Sequence, residues 1–185
     1  METPGLSHKF AMKNYLSLLC STSLFNGLTA EELQTLLSQL GAVVRSYGKG
    51  EALVLAGEPS RRVGIVLNGE LEAYRPGPQG ARIPITHMEP GGVFGEMMMF
   101  KAAGDDSVVA RSVTPCRVSF LRGEAVMRRC EHACACHGRM VENLFHLVTE
   151  KAMSLSERVE VLSRRSIREK LLRYFQLQAA KERGR

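Results

Sequence analysis

The densest group of potential metal ligands and reactive side chains in this sequence is Cys130-Glu131-His132-Ala133-Cys134-Ala135-Cys136-His137. On a helix, Cys130, Cys134 and His137 would share one face at i, i+4 and i+7. Such a face can bind zinc, an iron–sulfur cluster or haem iron, or act as a thiol switch. The plainer reading is reduced thiols where a helix begins, because the five cysteines form neither a CxxC pair nor a disulfide framework. A second candidate is Met97-Met98-Met99-Phe100, whose soft side chains suit either core packing or a pocket for an apolar ligand. A third is His87, just ahead of Pro90. Enzyme chemistry finds little support. A metal-dependent barrel site needs a His-x-His pair and a carboxylate on its strands, and between residues 42 and 121 the sole histidine is His87. No nucleophile, base and orienting group can be assembled either, so the chain is expected not to be an enzyme and no metal site is predicted.

These residues must be positioned by three kinds of segment. Leu28-Thr29-Ala30-Glu31-Glu32-Leu33 reads as a helix start, with Thr29 as cap, Glu32 reaching back and Leu28 stapling onto Leu33. From Ala42 to about Leu121, short apolar or alternating runs such as Val63 to Leu67 and Arg117 to Leu121 are separated by Gly, Pro and Asn. Asn68-Gly69 predicts a tight hairpin, and the spacing predicts an antiparallel sandwich or barrel. From about Gly123 the pattern is helical again. Val141, Leu144, Val148, Leu155 and Leu162, extended by Val159, mark a narrow apolar stripe that Lys151 and Arg158 interrupt. Arg139 to Leu162 contains neither Pro nor Gly, which predicts a helix of about 36 Å whose stripe serves a two-helix seam, the alternative being packing on the chain's own sandwich. Ser166-Ile167-Arg168-Glu169 is a second capping box, opening a helix with Ile167, Leu171 and Phe175 on one face. Too little sequence follows to cover that face, so the chain reads as stopping where a further domain begins.

The formal charge of +6 is uneven. Residues from Ser163 to Arg185 carry eight Lys/Arg and two acids, which leaves 17 of each sign in residues 1–162. A basic terminal segment suits a place near phosphates. No apolar run is long enough to span a membrane and the start does not read as a secretory signal, so a cytoplasmic location is expected.

Three motifs then occur in order. Tyr47-Gly48-Lys49-Gly50-Glu51 continues to Ala56-Gly57-Glu58; Val66-Leu67-Asn68-Gly69-Glu70-Leu71 follows; and Pro90-Gly91-Gly92-Val93-Phe94-Gly95-Glu96-Met97 comes last. In this order and spacing they resemble bacterial one-component transcription regulators of the catabolite-activator/fumarate-nitrate-regulator type. The resemblance covers roughly Ser23 to Phe175, and Ser163 to Leu172 looks like that family's junction into its winged helix-turn-helix domain. It implies a mostly β fold with flanking helices: a cyclic-nucleotide-binding-like double-stranded β-helix, or jelly roll, followed by a long dimerisation helix. The implied organisation is an N-terminal helical segment (1–41), a β-roll effector-binding domain (42–122), a short helix and long dimerisation helix (123–162), and the first helix of a DNA-binding domain (163–185). It also implies a homodimer joined through Val141, Leu144, Val148, Leu155, Val159 and Leu162, with DNA bound in the full-length protein only, and RNA polymerase as a further partner.

In nucleotide-binding relatives the Gly-Glu pair opens a short helix whose amides face the cyclic phosphate, the Glu accepts from the ribose, and an Arg about ten residues on neutralises the phosphate. Gly95 and Glu96 match that pattern. The Arg position is occupied by Asp106, beside Asp105 and followed by Ser107 and Val108. Arg111 lies further along, in step with Val109, and is not placed to substitute. The expectation is a small effector other than a cyclic nucleotide, held by Gly95, Glu96, Met97, Met98, Ser107, Val108, Met140, Val141 and Leu144, with no resident cofactor. The alternatives are a redox or metal sensor using Cys130 to His137 with an iron–sulfur cluster or haem, His87 being the haem candidate, and a stand-alone regulatory ligand-binding domain.

Overall fold

The computed structural model describes residues 14–54, 61–97, 108–127 and 135–183. The chain divides into two compact units, Met1–Leu144 and Phe145–Arg185. Within the first, helix α1 (Leu16–Cys20) and a 3-10 turn (Ser23–Phe25) lead to α2 (Ala30–Gln39). The Thr29 hydroxyl caps α2 by accepting from the Glu32 amide, and the Glu32 carboxylate accepts from the Thr29 amide in return, so the expected capping box is present. That backbone hydrogen bond holds the Glu32 carboxyl below its ordinary range. Leu33, Leu36 and Leu37 are the buried face that the apolar spacing marks out.

Eight strands follow among the described residues: β1 (Val43–Tyr47), β2 (Ala52–Val54), β3 (Arg62–Asn68), β4 (Leu71–Pro76), β5 (Arg82–Met88), β6 (Val93–Phe94), β7 (Val109–Ser112) and β8 (Cys116–Arg122). They make two antiparallel four-stranded sheets, ordered β1-β8-β3-β6 and β2-β7-β4-β5. The core between them takes Val66, Phe94, Cys116, Val118 and Phe120 from the first sheet and Val54, Leu71, Ala73, Met88 and Ala110 from the second. Val63, Ile65, Ser119 and Leu121, on the opposite side of the first sheet, are fully buried as well. That sheet is therefore covered on both faces, which is why Val63 to Leu67 reads as a continuous apolar run rather than an alternating one.

One expectation fails here. Asn68-Gly69 does not close a hairpin, because β3 pairs with β8 and β6 while β4 pairs with β5 and β7. Both edges of β3 are taken by strands distant in sequence, so the turn is the corner at which the chain passes from one sheet to the other. A tight hairpin signal specifies a reversal of direction but cannot specify which strand becomes the neighbour.

After β8 come α3 (Gly123–Met127), which packs on β8, and α4 (Ala135–Leu162). Helix α4 begins four residues before the Gly-free stretch, with Gly138 inside its first turns, where a side chain would meet open space. Its start is tied to the first unit by side chains that reach backbone carbonyls. Arg139 donates to the Gly27 carbonyl. The Asn143 amide donates to the carbonyls of Leu24 (3.1 Å) and Asn26 (2.9 Å). His137 Nε2 lies 2.9 Å from the Val126 carbonyl, and Met140 and Leu144 are buried. Helix α5 (Ile167–Arg183) belongs to the second unit, and its Ser166–Glu169 capping box forms as expected.

Two outcomes are expected from this packing. The Phe94 ring lies over Gly64, where a Cβ would overlap it. Gly64→Ala should therefore lower stability by about 2 kcal/mol in urea denaturation, and Phe94→Leu in the same chain should return part of the loss. Strict additivity of the two changes would contradict the contact. At the α4 start, Asn143→Asp should destabilise at least as much as Asn143→Ala, each by about 1–2 kcal/mol, because a carboxylate cannot donate and would face two carbonyl oxygens. A urea midpoint for Asn143→Asp equal to that of the wild type would refute the clamp.

Candidate functional site

The Gly-Glu motif sits where the chain leaves the first sheet. Gly92 and Gly91 exchange backbone hydrogen bonds with Val66, so the chain arrives at β6 locked against β3. Gly95 then takes φ +81, and a Cβ there would collide with the Arg62 carbonyl oxygen. A side chain is excluded on both counts. Glu96 comes next, at 2% exposure. Met97 is 57% exposed, so it is a surface residue rather than part of the core between the sheets. Met98 and Ser107 lie outside the described residues, as do Asp105 and Asp106. The chain returns at Val108, half-buried against the core between the sheets, and enters β7, an inner strand of the second sheet. The motif thus follows an edge strand of the first sheet, and Val108 precedes an inner strand of the second.

The interior between the sheets is apolar and aromatic. Tyr47, Phe94 and Phe120 meet edge to face, with centroids 6.3 Å (Tyr47–Phe120) and 6.0 Å (Phe94–Phe120) apart. Burial pushes the Tyr47 hydroxyl and the Cys116 thiol above their usual pKa ranges. Cys116 is thereby kept as a thiol and is a poor nucleophile. Arg111 is committed elsewhere: its Nε donates to the Gly50 carbonyl at 2.7 Å, and its neighbour Ala110 is the one that points into the core.

The candidate metal ligands are only partly described. Cys130 and Cys134 lie outside the described residues. His137 is buried, and Nε2 serves the Val126 carbonyl, which leaves Nδ1 alone for a metal. His87, on β5, is half exposed and sits 3.4 Å from the Glu70 carboxylate, a surface pair rather than an apolar haem pocket. Among the described residues no three of His, Cys, Asp and Glu come together as a metal site.

On α4 the residues named for the pocket and the seam separate. Met140 (0% exposed) and Leu144 (2%) are taken up by the first unit, and Val141 and Val148 are half-buried. Leu155, Val159 and Leu162 are exposed, and so is Phe145, which the apolar spacing alone did not single out. With Ala152 they form Phe145, Val148, Ala152, Leu155, Val159 and Leu162, apolar at alternating steps of three and four without a break. That spacing is the a/d pattern of a two-helix coil, with Lys151 and Arg158 flanking it instead of interrupting it. Within the second unit α5 pairs with α4 through Glu157 and Glu160, which lie on the opposite side of the helical wheel from this stripe. The hairpin therefore leaves the stripe uncovered.

Comparison with known proteins agrees with this architecture. Residues 44–133 match the family model of the cyclic nucleotide-binding domain. The "CRP-like cAMP-activated global transcriptional regulator" of Mycobacterium tuberculosis is 27% identical over 109 residues, 59% of this chain and 47% of that protein. The chain thus spans about half the length of the curated relatives it matches. The catabolite activator protein of Thermus thermophilus superposes with a TM-score of 0.65 at 23% identity, covering 77% of this chain and 63% of the other. The sensor domain of the transcriptional regulator DNR from Pseudomonas aeruginosa gives 0.61 at 21% identity, covering 85% and 99%. Among the described residues no helix is long and apolar enough to cross a membrane. Over residues 44–133 the chain is thus similar to the cyclic nucleotide-binding domain, and the curated relatives it matches over 109 residues are named as transcriptional regulators.

Proposed function

We propose that this chain is the effector-sensing and dimerising part of a cytoplasmic transcription regulator, and that its effector is a small molecule other than a cyclic nucleotide. The observation that carries the sensor reading is the dual use of α4. Its first turns are buried and hydrogen-bonded in the unit that holds the Gly95–Glu96 motif, and the rest bears an uncovered coiled-coil stripe. A ligand seated near Glu96, Val108 and the start of α4 would favour one arrangement of the paired helices over another. Switching requires that difference in affinity. DNA contact, and any contact with RNA polymerase, is assigned to the whole protein, in which paired helices would set the spacing of two half-sites.

The effector part rests on Asp106. The Mycobacterium tuberculosis relative is named for cyclic AMP. Where the family resemblance calls for the phosphate-binding Arg, this chain has an acid with a second acid beside it. Losing a charge-assisted pair and placing an anion against the phosphate costs about 4 kcal/mol, or roughly a thousandfold in affinity. Calorimetric titration of the intact chain with cyclic AMP and cyclic GMP should show no saturable binding up to about 100 μM, and Asp106→Arg should gain measurable affinity for at least one of them. Micromolar binding by the wild type would defeat this reading.

A further inference from the structure

The α4–α5 hairpin is held by charges whose geometry suits another ligand. Arg173 grips Glu160 with two parallel hydrogen bonds, Nε to Oε1 at 2.8 Å and Nη2 to Oε2 at 2.9 Å. Arg164 adds a third, Nη2 to Oε1 at 2.9 Å, and Lys181 Nζ pairs with the Glu157 carboxylate. A fork of two guanidiniums around one anion is the arrangement by which arginine binds phosphate as readily as carboxylate. The hydrogen bonds from Arg173 hold the Glu160 carboxyl below its usual range, so it remains an anion in this fork at neutral pH.

Apolar packing does little to hold the two helices together. The half-buried residues of α5 are Lys170, Arg173 and Leu177, whereas Ile167, Leu171 and Phe175 are exposed. The contact is therefore largely electrostatic and exposed, the kind that is weak and readily exchanged. All three cations belong to the segment that concentrates the chain's positive charge.

We propose that Arg164 and Arg173 form a phosphodiester-binding site for double-stranded DNA, which Glu160 occupies as an internal competitor. The polyanion displaces the carboxylate and frees α5 from α4. The acids of α4 thereby lower the affinity of the basic segment for DNA until a duplex is held close to it. This inference rests on the nucleic-acid part of the proposed function and is independent of what the effector is.

The test is anisotropy titration of a labelled random-sequence duplex with the full chain, across a range of salt. Glu160→Gln should bind about tenfold more tightly than wild type at low salt, with an unchanged log–log salt slope, because the same two phosphates are neutralised once the carboxylate is displaced. Glu142→Gln, an exposed change of the same charge on the first turns of α4, should have little effect. Adding Arg173→Gln to Glu160→Gln should return the affinity to the wild-type level, with helix content by circular dichroism confirming that the variants fold. An equal gain from Glu142→Gln, or a gain that survives Arg173→Gln, would overturn the site while leaving DNA contact by this segment in place. No binding by any variant at low salt would overturn the site and DNA contact by this segment, while leaving the assignment of DNA contact to the whole protein standing.

Discussion

Asn143 and Arg139 donate to the carbonyls of Leu24, Asn26 and Gly27, with Met140 and Leu144 buried on the same stretch of α4. Both the proposed sensor and the proposed seam depend on this small set of side-chain-to-backbone bonds. A helix turns by about 100° per residue, so the phase at which it starts decides which residues every later turn presents. With Met140 and Leu144 committed inward, the later turns place Phe145, Val148, Ala152, Leu155, Val159 and Leu162 on one stripe. A shift of a single residue at the clamp would break the Asn143 bonds and expose a different face.

The sandwich is held together by long-range pairing. Its first sheet is buried on both faces, and its strands are bound to partners far away in sequence. Phe94 is laid over Gly64, and immediately afterwards Gly95 bends sharply against the Arg62 carbonyl. The two features together turn the chain out of the first sheet at Gly95.

Much of this was legible in the sequence, and the parts that were not have physical causes. The capping boxes at Thr29 and Ser166 were readable because both partners lie within four residues. The strands were readable from their Gly- and Pro-bounded apolar runs. Asn68-Gly69 was misread because a turn signal carries no information about which sheet receives the next strand. A seam drawn through Leu144 makes Lys151 and Arg158 interruptions. Choosing the neighbouring phase, with Phe145, Ala152 and Val159, requires knowing that the chain's own fold already uses Leu144. The carbonyl clamp leaves no sequence pattern at all, since its acceptors are backbone atoms more than a hundred residues away. His137 looked like a metal ligand by its neighbours, yet its buried nitrogen faces a carbonyl of the preceding helix.

The central claim is that α4 pairs with a second copy of itself along the exposed stripe. Sedimentation equilibrium at about 10 μM tests it most directly. The account predicts a mass twice the 20.5 kDa of the chain. It further predicts that Leu155→Lys with Val159→Lys reduces that mass to one chain without loss of helix content, because two lysines per helix would be forced into an apolar seam. A wild-type monomer, or a dimer that both lysines leave intact, would contradict it.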